Sequence, residues 1–338
     1  MSALHISPLM KFLTASALFL ACSLPSLAHS STAAYTPEYY DYYKLLEEHR
    51  NWAGLSTKTA HIGDITWTYS EGGSKNKPTL LLIHGLDSTR DAWIEVAHNL
   101  TQHYHVIVPD LPGSGSSKVP LDFDYSLPNM SEQLRVFAET LRIQNQLHIA
   151  GHSLGATIAM FYASHYNHDT RSLFVMGASG IFQNNRTNYS QNPVYLKQLI
   201  VTQPGDLNYV RQKTMVRVPF VPYIRRKSEE QLLMAQSVPT EKMIEHVYRL
   251  TKQYSVRAFK NLMGGIHAPT LIVWGKQDQI INVEVAHEIQ TAIKGADTPV
   301  ILNNVGHMPL LEAPQRVSQS YLDFLNKVQY QAKVTAKY

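Results

Sequence analysis

Cysteine is almost absent from this chain. Cys22 is the only one in 338 residues, so no internal disulfide can form, and a chain of this length needs none. A cysteine cluster that could ligate a metal is excluded with it. No H-E-x-x-H stretch is present either, so neither a dedicated metal site nor a cofactor is expected. Charge is scarce as well. Charged residues make up 17% and the formal net charge is +4, which gives no reason to expect a nucleic-acid partner. Repeats and low-complexity tracts are missing, and hydrophobic residues reach 44%, so the chain reads as globular.

The first segment reads as an address. Lys11 precedes an apolar run at 12–21 that is too short to span a bilayer comfortably, and Ser26-Leu27-Ala28 offers small residues at the −3 and −1 positions of a cleavage site. An export signal over residues 1–28 is expected, with a periplasmic or secreted product. Only Lys11 supplies the positive charge of such a signal, so Met10 is an alternative start to Met1. Phe19-Leu20-Ala21-Cys22 loosely resembles a lipoprotein box, which leaves open a membrane-tethered product lipidated at Cys22.

Residues 29–54 read as an N-terminal helical segment. Thr36-Pro37 suits an N-cap and first helical position, and Tyr39, Tyr42, Tyr43 and Leu46 share one helical face. That face either packs on the body or touches lipid. Beyond it, short apolar strands are expected at 65–69, 79–83, 105–109, 147–150, 173–176, 270–274 and 299–302. Helical patterns fall at 91–100, 131–143, from 154, 283–293 and 315–327. This alternation implies a mainly parallel sheet covered on both faces. The rhythm fails between Met176 and Pro269, a stretch too long for a plain loop. The organisation is therefore a core at 55–184, a helical cap inserted at 185–266, and the rest of the core at 267–338.

Gly151-His152-Ser153-Leu154-Gly155 is the strongest motif, and it sits between an expected strand and an expected helix. That is the context of a nucleophile elbow, in which glycines remove side chains that a tight turn would drive into backbone. A serine hydroxyl needs a base, and the base needs a carboxylate. Such elbows are followed in chain order by the acid and then the histidine. Of the histidines downstream of Ser153, His307 alone follows the final expected strand, in Asn304-Val305-Gly306-His307. Trp274-Gly275-Lys276-Gln277-Asp278 gives a strand end, a glycine turn and an aspartate, whereas the preceding strand ends in Met176-Gly177-Ala178-Ser179-Gly180 without a carboxylate. Ser153, Asp278 and His307 are therefore the candidate catalytic residues. The backbone N–H groups of Leu154, at a helix start, and of Leu86, after His84-Gly85, are the candidate oxyanion donors. Asp110 and Glu312 read as structural, and Gly113-Ser114-Gly115 lacks the lysine of a phosphate loop.

With these motifs the chain resembles the α/β-hydrolase superfamily from about residue 55 to 327. The likeness rests on His84-Gly85, the Asp110 to Gly115 turn, the elbow, Trp274 to Asp278 and Gly306-His307. Val273-Trp274-Gly275, Asp278-Gln279-Ile280-Ile281 and Gln191-Asn192-Pro193 are similar to cold-adapted Moraxella and Psychrobacter lipases and esterases. The resemblance implies the α/β-hydrolase fold, with its inserted cap, and cleavage of acylglycerols or other esters. Two departures stand out. Asp87 lies where relatives often carry glycine, close enough to the oxyanion donors to slow ester cleavage unless it points away. His152 stands where some relatives carry asparagine.

Two other readings share these residues. Carbon–carbon hydrolases of ring-cleavage diketones use the same triad and cap, although an export signal argues against an intracellular pathway. A non-catalytic binder on this fold is the other. Met215, Val218, Phe220 and Val221 form either an apolar lip of the cap, in contact with lipid, or its core.

Overall fold

A computed structural model describes residues 37–335. The expected export signal at 1–28, Cys22, the alternative start at Met10 and the Thr36 cap lie outside the described residues. The N-terminal helix α1 (Pro37–Trp52) leads into the hairpin β1 (Leu55–Ile62) and β2 (Ile65–Gly72). Then follow β3 (Thr79–Ile83), a 3-10 turn at Arg90–Trp93, α2 (Ile94–Leu100), β4 (His105–Pro109), α3 (Leu127–Thr140), β5 (Leu147–His152), α4 (Leu154–His165) and β6 (Thr170–Met176). Six helices intervene before the next strand: α5 (Asn188–Gln191), α6 (Pro193–Lys197), α7 (Asp206–Thr214), α8 (Tyr223–Ala235), α9 (Ser237–Gln253) and α10 (Val256–Gly264). The chain closes with β7 (Thr270–Gly275), α11 (Glu284–Ala292), β8 (Val300–Leu302), α12 (Pro309–Glu312) and α13 (Pro314–Thr335).

The strands form one 8-stranded sheet in the order β1-β2-β4-β3-β5-β6-β7-β8. β1 and β2 pair antiparallel, β2 meets β4 antiparallel, and every later pair is parallel. The central strands are apolar at nearly every position because both faces are covered. Leu81, Ile83, Ile107, Val175 and Trp274 enter one core with α3, α4 and α11. Their neighbours Leu80, Leu82, Val106, Phe174 and Val273 enter the other, against Trp93, Leu100 and Tyr321. β1 is the exception. Its pattern, LSTKTAHI, leaves most side chains exposed, so it carries no hydrophobic signal and the sequence did not announce it. It forms because the Gly63-Asp64 turn folds it back on β2, with Ile62 paired to Ile65.

Two buried ion pairs lock the chain around the site. Arg50 on α1 grips Asp91 with two parallel bonds, Nε to Oδ1 at 2.7 Å and Nη2 to Oδ2 at 2.6 Å, fastening α1 to the core. The fully buried Asp110 accepts the backbone N–H groups of Arg90 at 2.8 Å and Ser116 at 2.9 Å, and also pairs with the Arg90 guanidinium. It thus ties the loop after β4 to the loop after β3. Removing one partner of such a pair leaves an uncompensated buried charge. Asp110→Ala should cost about 3–5 kcal/mol of unfolding free energy in denaturant titration. Arg90→Met added to it should restore a substantial part.

Candidate active site

Ser153 makes the whole turn between β5 and α4. Its backbone lies at φ 52 and ψ −119, outside the regions an L-residue ordinarily occupies. The flanking glycines are required by contact. A Cβ at Gly151 would overlap the backbone of Gly155 and Ala156, and one at Gly155 would overlap the carbonyls of Ile83 and His84. The turn is held by Ser153 N–H donating to the Met176 carbonyl at 2.9 Å.

Two residues far along the chain meet that hydroxyl. His307 Nε2 lies 3.0 Å from Ser153 Oγ, and His307 Nδ1 lies 2.8 Å from Asp278 Oδ2. The second Asp278 oxygen accepts the N–H groups of Ile280 and Ile281, each at 2.9 Å. Nδ1–H therefore donates to the carboxylate, and the Nε2 lone pair faces the hydroxyl. Gly275 allows this approach, since a Cβ there would overlap the carbonyls of Val305 and Gly306 in the histidine loop. Leu154 opens α4, so its N–H has no partner within the helix. Leu86 follows Gly85 in the loop after β3, and Gly85 packs against the Ser153 side chain.

Two cavities meet at Ser153 and Leu86. One, of about 90 Å³, is mostly apolar and lies between Leu127, Leu154, Leu196, Ile244, Val247 and Phe259. The other, of about 430 Å³, runs under α1 and the α7–α8 loop, past His49, Leu207, Phe220, Arg225 and Met308. Among the described residues no group of three or more His, Cys, Asp or Glu is placed to hold a metal ion.

A family model for the alpha/beta hydrolase fold matches residues 78–314. The chain belongs to the α/β-hydrolase family. Among solved structures, this hydrolase is similar to an Acinetobacter baumannii protein designated a lipase, at 52% identity and a TM-score of 0.85, over 86% of this chain and 97% of that one. It is 26% identical to Lipase 1 of Psychrobacter immobilis, over 83% of this chain and 87% of the relative. It is 27% identical to a monoacylglycerol lipase of Xenopus laevis, over 82% and 84%.

The α/β-hydrolase core is fastened to its cap around His307. His307 N–H donates to the Thr214 carbonyl at 2.7 Å, at the end of α7. Glu312 Oε1 accepts Gly306 N–H at 2.9 Å, while its Oε2 accepts Val216 N–H at 2.8 Å and Arg217 N–H at 3.0 Å. From the other side, His152 Nε2–H donates to the His307 carbonyl at 2.7 Å. Burial, with His307 alongside, holds the His152 pKa down to about 3, so this ring is a neutral brace at ordinary pH. His84 braces the loop after β3: Nδ1–H donates to the Gly85 carbonyl at 2.8 Å and Nε2 accepts Leu111 N–H at 2.9 Å. Sequence reading ranked Glu312 as structural and left His152 unexplained, because their partners lie on other elements.

Asp87 is held by the cap. Its Oδ2 accepts Val201 N–H at 3.1 Å and its Oδ1 accepts the Thr240 hydroxyl at 3.4 Å, with the backbone at φ 48. Enclosure pushes its pKa from 3.8 up to about 7 despite those bonds. A carboxyl that holds its proton to higher pH when folded than when unfolded lowers stability as pH rises between those two values. Asp87→Asn should therefore gain thermal stability over the wild type above pH about 7. The gain should shrink as pH falls toward about 4 in a series of melting curves.

Proposed function

We propose that this hydrolase cleaves carboxylic esters, acylglycerol-like lipids among them, through an acyl-enzyme on Ser153. The reading rests on one observation, the unbroken hydrogen-bond line Ser153–His307–Asp278 at 3.0 and 2.8 Å beside an apolar cavity. The similarity to Lipase 1 of Psychrobacter immobilis and to a monoacylglycerol lipase supports the ester class. His307 takes the proton as the Ser153 oxygen attacks the ester carbonyl, and Asp278 stabilises the imidazolium that results. The N–H groups of Leu86 and Leu154 receive the oxyanion, each worth about 3 kcal/mol of barrier. His307 then protonates the departing alcohol. Water, deprotonated by the same imidazole, releases the acid.

In this scheme the small cavity takes the acyl chain, since it is lined by aliphatic and aromatic side chains. The larger, more polar cavity takes the alcohol portion, with His49 and Arg225 in its wall. Export through residues 1–28, or tethering at Cys22, belongs to the same proposal and lies outside the described residues.

Ser153→Ala should lower kcat on p-nitrophenyl butyrate by about five orders of magnitude while leaving the far-UV spectrum unchanged. A variant with wild-type activity would overturn the assignment. Val247→Phe, which fills the small cavity, should shift a p-nitrophenyl ester series toward shorter acyl chains. About a tenfold loss in kcat/KM is expected on the octanoate against little change on the acetate.

A further inference from the structure

The 16 residues at 212–227, QKTMVRVPFVPYIRRK, contain Lys213, Arg217, Arg225, Arg226 and Lys227 and not one acid. They run from the last turn of α7 through an irregular loop into α8. Between those cations stand Val216, Val218, Phe220, Tyr223 and Ile224, all exposed, and Phe220 is 92% exposed. Single exposed apolar side chains are ordinary, but five within nine residues, interleaved with cations, are not. The Arg226 guanidinium lies over the Tyr223 ring at 5.8 Å, a pairing of aromatic body and charge suited to a headgroup layer. Met215, Phe220, Val221 and Arg225 of the same stretch also line the larger cavity that ends at Ser153.

We propose that the 212–227 lip docks on the surface of an anionic phospholipid bilayer. Arg217 and Arg226 meet the headgroups, and Val218, Phe220, Tyr223 and Ile224 enter the acyl boundary. Charge complementarity selects this occupant. A second copy of the chain, packed symmetrically, would set the five cations of one lip against those of the other. An interfacial segment of this kind binds by buried apolar area, and attraction to anionic lipid adds to that binding. Because the lip is the wall of the cavity mouth, docking brings the substrate reservoir to the opening. The inference deepens the ester-hydrolase reading, and rests on it for what enters that mouth.

The test is vesicle co-sedimentation of the full chain on phosphatidylcholine alone and on an equal mixture with phosphatidylglycerol, alongside hydrolysis of soluble p-nitrophenyl acetate. The first variant carries Arg217→Gln with Arg226→Gln. The second carries Val218→Ser, Tyr223→Ser and Ile224→Ser. None of these side chains lines either cavity. The wild type should prefer the anionic vesicles. The charge variant should lose about thirtyfold in affinity for them and nothing for the neutral ones. The apolar variant should lose affinity for both, with acetate hydrolysis and melting temperature unchanged in each. Equal wild-type binding to both vesicle types overturns the proposal, as does binding undiminished in either variant. So does self-association without vesicle binding. A wild type that docks as described yet hydrolyses no ester refutes the ester-hydrolase reading and leaves the docking surface standing.

Discussion

The turn at Ser153 constrains everything around it. A side chain held at φ 52 and ψ −119 costs about 1–3 kcal/mol and persists only where its surroundings leave no alternative. Here the surroundings are the middle of the sheet. β5 lies between β3 and β6, so the turn emerges at the centre of the carboxyl edge. The loop after β3 brings Leu86, the turn after β7 brings Asp278, and the loop after β8 brings His307. Crevices at this edge are where open parallel sheets bind ligands. The two glycines of the elbow keep the strand, the helix start and the neighbouring β3 loop within backbone contact.

Much of this was legible in the chain because the relevant signals are local. The strands β3 and β4 coincide with apolar runs read at 79–83 and 105–109. Both faces of these strands are buried, so their apolar pattern is continuous. Ser153 carries its own local context, and His307 and Asp278 follow from their positions after late strands. β1 was not legible, because an exposed edge strand has no apolar period and is defined by its partner. The cap is similar. Its six helices, from Asn188 to Gly264, are short or only partly buried, and the sequence showed a break in the strand rhythm there without resolving them. Least legible were side chains whose meaning depends on a distant partner. Asp87 seemed a threat to an oxyanion from its position alone. Its direction is set by Val201 and Thr240, residues more than a hundred positions away.

The cap is therefore part of the site. Asp87 joins the loop after β3 to the cap, Gln236 accepts Gly115 N–H at 2.8 Å, and Thr214 holds the His307 backbone. The α/β core supplies Ser153, Asp278 and His307. The cap divides the space beside Ser153 into a small, mostly apolar pocket and a roomier, more polar passage. The α7–α8 loop, exposed on its outer side, forms part of the passage wall.

Glu312 gives this arrangement a mechanical character. One carboxylate holds the amide preceding His307 with one oxygen and the first amides of the lip with the other. Oε1 seats the histidine loop and Oε2 seats the start of the lip, so a displacement at Val216 and Arg217 is felt at Gly306. Doorway and imidazole loop are thus pinned by one side chain, which couples the position of each to that of the other.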